Sequence, residues 1–222
     1  VGQPLMISLG GQPYIDTRLS FHSYLPSNLP DQIGIKLVDE WVERLKQRPE
    51  LHDKVEFDVA VTTYTFDIDE KLDHLATSLD SEEKEVLKTN LLGILHPLLR
   101  GESKGSIGNA IKQINKLYET PLPELDCGVS VLFKLIDECV NLGTIPFSIL
   151  ARHGFIARSL LLSLKSRGVF NDSDIESLLA GIKTIASEML EDMHALKSDE
   201  LSIDSFMLKY GHLRPGTYDI LS

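Results

Sequence analysis

The run from Asn171 to Leu196, NDSDIESLLAGIKTIASEMLEDMHAL, decides the fold class. Ile175, Leu178, Leu179, Ile182, Ile185, Ala186, Met189 and Met193 recur at the spacing that lines one side of an α-helix. Ser173 and Glu176 fit a capping box at its start. The stripe is expected to be core, because apolar residues at helical spacing gain most by packing against other helices.

Working outward, the same period continues almost without interruption from Asp67. DSEEKEVLKTNLLGILHPLL opens on carboxylates suited to a helix N-terminus and carries Val86, Leu87, Leu91, Leu95 and Leu98, with Pro97 marking a kink or an end. Breaks at RGESKGSIGN, ETPLPELD and NLGTIP separate further helices at about 106–119, 128–142 and 145–167.

The first 66 residues read differently. LMISLGGQPYIDTRLSF holds two extended segments around Gly10-Gly11, a hairpin signal because both glycines accept positive φ. Pro30 and Asp31 open a helix through Leu37, Val38, Trp41, Val42 and Leu45 that stops before Pro49. KVEFDVAVTTYTF then alternates Val55, Phe57, Val59 and Val61 with smaller or polar residues, the period of a half-buried strand. The fold expected is mainly α, a helical bundle-like domain with a small antiparallel β element near the N-terminus. Its organisation would be an α+β subdomain over 1–66 and a helical subdomain over 67–222.

Composition narrows the function classes. The chain of 222 residues is 42% apolar and 25% charged, enough to bury a core. Asp and Glu outnumber Lys and Arg 33 to 22, a formal charge of −11 that argues against a nucleic-acid or anionic-membrane surface. No apolar run in the bare sequence approaches the ~20 residues of a membrane span. Cys127 and Cys139 are the only cysteines and stand in no metal or redox spacing, which predicts a reduced, cytoplasmic protein. The chain starts at Val1 and stops inside a motif, as a domain cut from a longer polypeptide would.

Motifs for self-sufficient catalysis do not occur. The seven histidines fall in no ligand spacing, so no metal site is expected, and neither a nucleophile elbow nor a phosphate-cradling glycine loop is present. Three segments still concentrate functional side chains. In YIDTRLSFHSYLP, Asp16, Arg18, Ser20 and His22 occupy alternate positions and would share one face of a strand, solvated or functional. From Gly143 to Phe170 there is no Asp or Glu, while Arg152, Arg158, Lys165 and Arg167 bring four positive charges. These would hold a phosphate or carboxylate, or pair with the acidic remainder of the chain. His52, Asp53 and Lys54 form a weaker cluster in a turn entering the expected strand.

The tail, YGHLRPGTYDILS, resembles the Gly-His-Arg-Gly-Pro-Gly-Glu type of motif of the phosphoenolpyruvate synthase and pyruvate phosphate dikinase-like phosphotransferases, which include rifampin phosphotransferase. With GGQPYIDTRLSFHSYLP, LHDKVEFDVAVTTYTFD and ARHGFIARSLL in order before it, nearly the whole chain looks like the central region of a subgroup of that family. Gly211, His212, Pro215, Gly216 and Asp219 match the motif; Leu213 and Thr217 stand where the family has Arg and Glu, and Arg214 is displaced by one.

The resemblance implies a division of labour. An ATP-grasp domain charges a swivelling phosphohistidine domain, which delivers the phosphoryl group to a small-molecule acceptor, with ATP and Mg²⁺ used by the full-length protein. This chain would hold the acceptor or dock the moving domains, and would be inactive and bind no cofactor alone. His212, Arg214, Arg18, Arg152, His153 and Arg158 are the side chains it would bring to the phosphate or acceptor. A structural spacer or an independent helical regulatory module are the alternatives.

Overall fold

A computed structural model describes residues 5–100, 105–121 and 128–213. Its architecture is mainly α, with ten α-helices and one two-stranded sheet among the described residues. Strands β1 (Met6–Leu9) and β2 (Gln12–Ile15) form an antiparallel hairpin in which Met6 faces Ile15 and Leu9 faces Gln12. Gly10 and Gly11, at φ 60° and 81°, make the turn that only paired left-handed residues allow.

The chain enters α1 (Thr17–His22) directly from β2, and this corrects the reading of Asp16, Arg18, Ser20 and His22 as one strand face. Asp16 caps the helix, its carboxylate accepting from the Leu19 N–H at 2.9 Å. The cap outweighs the alternation, and the four side chains are spread around a helix instead.

Helix α2 (Asp31–Gln47) buries Ile33, Leu37, Val38 and Trp41 and ends at Arg48, before Pro49. Trp41 is fully buried, meets Phe21 edge-on at 6.0 Å, and donates its indole N–H to the Leu75 carbonyl at 2.9 Å. A 3₁₀ turn at Pro49–Leu51 follows.

The expected strand over 55–61 does not form. Val55–Val59 closes as a π-helical turn, with Ala60 N–H bonded to the Val55 carbonyl at 2.9 Å, so His52, Asp53 and Lys54 precede a turn instead of a strand. An extended segment needs a neighbour for its backbone groups; here the chain bonds to itself and still buries Val59, Ala60 and Val61.

Helices α3 (Ile68–Leu75) and α4 (Ser81–Leu99) complete the core with Ile68, Leu72, Leu87 and Leu91. Asp80 and Glu83 form a full capping box at the start of α4, and the helix carries Pro97 within its last turn. One core therefore runs from Phe21 to Leu91, straight through the expected 66/67 boundary.

Helix α5 (Ser106–Glu119) packs along α7 (Ile145–Ser166). Between α6 (Val129–Glu138) and α7 the chain was expected to break at NLGTIP; it instead widens into a π-helical turn over Cys139–Thr144 and continues. Pro146 offers no N–H to the Leu142 carbonyl, and the wider turn accommodates that loss. The run Val129–Ser166 is 38 residues long, with a window of mean hydropathy 1.2 that is only 11% buried. By length and composition alone it is sufficient to cross a membrane, which the bare sequence had not suggested.

The chain divides into two compact units, Val1–Val169 and Phe170–Ser222. The second holds α8 (Asp172–Ala180), α9 (Ile185–Lys197) and α10 (Ile203–Tyr210). The single stripe expected over 171–196 is thus two helices. Thr184 and Ser187 form a capping box that starts α9 afresh, and the box on α8 is Asn171 with Asp174 instead of Ser173 with Glu176. Nor is the stripe core: Ile175 is buried, but Leu178, Leu179, Ile182, Ile185 and Met193 are 46% to 70% exposed.

Candidate functional site

Helix α7 brings the carboxylate-free stretch against the first unit's turns. The Arg152 guanidinium lies 4.4 Å above the Tyr24 ring, and the Tyr24 hydroxyl donates to Glu56 at 2.9 Å. Burial, reinforced by the hydrogen bond to Glu56 and its negative charge, pushes the phenol up to about 12. Tyr24 therefore stays a hydrogen-bond donor at neutral pH. Burial pulls the Arg152 guanidinium below its ordinary value, opposed by Tyr24 and Glu56.

Six residues further along, Arg158 sits 5.4 Å over Phe57, which meets Phe155 edge-on at 5.6 Å. At the end of α7, Arg167 bonds the Phe66 carbonyl at 2.8 Å and pairs with Glu70 at 3.1 Å. Arg152, Arg158 and Arg167 thus engage the chain's own rings and carboxylates. His153 points to α5: its Nε2 meets Ser106 Oγ at 2.9 Å and its Nδ1 meets the Ile149 carbonyl at 2.6 Å. If Nδ1 carries the proton, as the carbonyl requires, Nε2 accepts from the serine. Arg18 is not part of this group; it pairs with Asp39 at 2.6 Å, both half exposed.

The second unit carries the start of the tail motif. Helix α10 ends at Tyr210, and Gly211 caps it in right-handed backbone at φ −64°, where a Cβ would collide with the Met207 carbonyl oxygen. His212 follows, exposed. Lys209 bridges Glu188 at 3.0 Å and Asp192 at 2.7 Å, and the Tyr210 hydroxyl donates to Asp192 at 2.7 Å, fixing α10 on α9. Hydrogen bonds from Lys209 and then Tyr210 hold the Asp192 carboxyl below its ordinary value. Arg214, Pro215, Gly216 and Asp219 lie outside the described residues.

Sequence reasoning missed a cleft of about 520 Å³ in the first unit. Leu51, Phe57 and Leu75 give it apolar surface, and Arg48, Asp58, Asp67, Glu70, Lys71 and His74 surround it with charge and imidazole. The only sequence signal was the Asp67–Lys71 pair at helical spacing in DIDEK; the π-helical turn that supplies Phe57 and Asp58 carries no recognisable pattern. No group of three His, Cys, Asp or Glu side chains placed to hold a metal occurs among the described residues. Comparison with protein-family models, with curated proteins and with solved structures finds no match to this chain.

Proposed function

We propose that this chain is the central part of a cytoplasmic, ATP-dependent, phosphoenolpyruvate synthase-like phosphotransferase, where it binds the acceptor or docks the moving domains. The observation that carries the reading is the ordered set of segments ending in YGHLRPGTYD. Consistent with it, His212 stands exposed at the end of a helix braced by Lys209 and Tyr210, a position from which an imidazole can reach a group on another domain. ATP and Mg²⁺ belong to the rest of the polypeptide on this reading. Phosphoryl transfer depends on positioning and on charge stabilisation, duties that an imidazole at His212 and a guanidinium at Arg214 would serve.

Domain docking draws specific support from α6. Val129, Leu132, Phe133 and Ile136 follow one another at helical spacing and are all more than half exposed. An apolar face of this kind marks a protein contact more often than free surface.

The test uses the full-length protein. His212→Ala and Arg214→Ala are expected to lower phosphoryl transfer to acceptor by about 10² or more, while ATP still charges the phosphohistidine and the melting temperature is unchanged. Undiminished transfer in both variants would remove the tail from the active site. Loss of charging together with transfer would favour the docking role over acceptor binding.

A further inference from the structure

The N-terminal hairpin has one edge open to pairing and one closed. Asp16 N–H donates to the Leu5 carbonyl at 2.9 Å, so Leu5 with Asp16, Ile7 with Tyr14 and Leu9 with Gln12 are the pairs that bond across it. The backbone groups of the intervening residues point out of the two edges, those of Met6 and Ser8 along β1 and those of Pro13 and Ile15 along β2. Pro13 has no N–H, so the β2 edge is a poor template for a further strand. The β1 edge offers two N–H and two carbonyl groups in register.

The side chains agree with this asymmetry. Leu5, Met6, Ile7, Leu9, Tyr14 and Ile15 are all 40% to 60% exposed, on a sheet of two strands, a size that is marginal in water. No side chain from Leu5 to Ile15 is charged, in a chain of formal charge −11. Two copies can meet here without bringing like charges together.

Register selects the occupant. When a second copy is turned about a two-fold axis at Ile7, antiparallel β1 strands set Met6 opposite Ser8 of the second copy, and Ser8 opposite its Met6, for four N–H···O bonds. Ile7 then meets Ile7, and Leu9 meets Leu5, on the face that also carries Tyr14. The product is a four-stranded sheet in the order β2, β1, β1, β2, with Pro13 on both outer edges, so assembly closes at the dimer. One surface thus supplies the bonding edge, its apolar complement and the stop.

We propose that β1 is a self-association edge through which two copies of this chain join their hairpins into one antiparallel sheet. The contact is independent of the phosphotransferase reading. It is small, so the dimer is reversible, with Kd of about 10–100 µM.

The experiment is sedimentation equilibrium of the 222-residue chain up to about 1 mM, with backbone amide resonances as reporters. A monomer–dimer equilibrium is expected, in which the Met6 and Ser8 amides shift with concentration and gain protection from hydrogen exchange. Ser8→Pro, which removes an outward N–H and leaves the bonds within the hairpin, should weaken dimerisation roughly tenfold or more. With Cys127→Ser and Cys139→Ser, Ile7→Cys should form a disulfide dimer on oxidation, because residues opposed at a non-bonded position lie about 4.5 Å apart. Leu9→Cys in the same background should not, its two copies standing about 13 Å apart. A monomer at the highest concentration, a dimer indifferent to Ser8→Pro, or equal cross-linking at positions 7 and 9 would overturn the proposal. If Ser8→Pro loses the hairpin, the two cysteine variants decide. In the full-length protein, a monomer whose Met6 and Ser8 amides are protected would assign the edge to another strand of the same polypeptide and overturn the dimer.

Discussion

Glu40 shows how much a single carboxylate can organise. It accepts from Thr77 N–H at 3.0 Å, Thr77 Oγ1 at 2.9 Å and Ser78 N–H at 2.9 Å, and pairs with Arg44 at 2.9 Å, joining α2 to the turn that leads into α4. Burial works to raise its pKa, but the hydrogen bonds from Ser78 and Thr77 outweigh it and hold the carboxyl below its ordinary value. A depressed carboxyl stabilises the fold above its unfolded pKa of about 4.3 and loses that contribution as pH falls through the folded value. Glu40→Gln is therefore expected to cost about 1–3 kcal/mol at neutral pH. The difference from wild type should shrink on acidification below about pH 4, as followed by urea denaturation across pH. A gap independent of pH would mean that charge is not what the network uses. None of this was legible in the sequence, where Glu40 is one acidic residue among many on a helix surface. Its partners at 77 and 78 come from a turn that only the fold brings near.

At the scale of elements, legibility followed the strength of local chemistry. The Gly10-Gly11 hairpin and the Pro30 to Pro49 limits of α2 were readable because glycine pairs and prolines restrict the backbone wherever they stand. Alternation misled twice, at Asp16–His22 and Val55–Val61. In the first, a side-chain cap supplied what a strand would have lacked, and in the second the backbone bonded to itself as a π-helical turn. Periodicity misled once: over 171–196 it marked apolar residues correctly but could not show that Thr184 would restart the helix.

The candidate site shares this history. Arg152 and Arg158 were visible as charges in a carboxylate-free stretch, whereas Tyr24, Glu56 and Phe57, which receive them, are assigned by packing alone. Caps carry measurable weight here. Asp80→Ala removes one half of the box on α4: Glu83 N–H loses its acceptor at 2.9 Å, while the backbone N–H of residue 80 can still donate to the Glu83 carboxylate. A loss of about 1 kcal/mol in chemical denaturation is expected; no change would show that the tertiary packing of Leu87 and Leu91 holds the helix start alone.

For the whole molecule, burial is unevenly divided. Nearly all buried apolar residues lie between Phe21 and Ala110, and from Phe170 onward Ile175 and Tyr210 are the buried apolar side chains among the described residues. The two units should therefore differ in stability, because local free energy of opening follows buried apolar contact. The single tryptophan, Trp41, reports on the first unit alone. Thermal unfolding followed by Trp41 fluorescence is expected to occur above the first loss of helical circular dichroism; coincident curves would show that the units melt as one.

The long helical run Val129–Ser166 has a mechanical consequence. Near its end, Ser163 accepts from Phe66 N–H at 3.2 Å, Ser166 donates to Asp67 and Arg167 donates to the Phe66 carbonyl, so the helix is anchored beside the α3 cleft. At about 1.5 Å per residue, its 38 residues extend roughly 55 Å from that anchor. The same helix is held again at Arg152 over Tyr24 and at Phe155 against Phe57, so only the stretch before Arg152, about 35 Å of it, extends beyond those contacts toward the exposed apolar end.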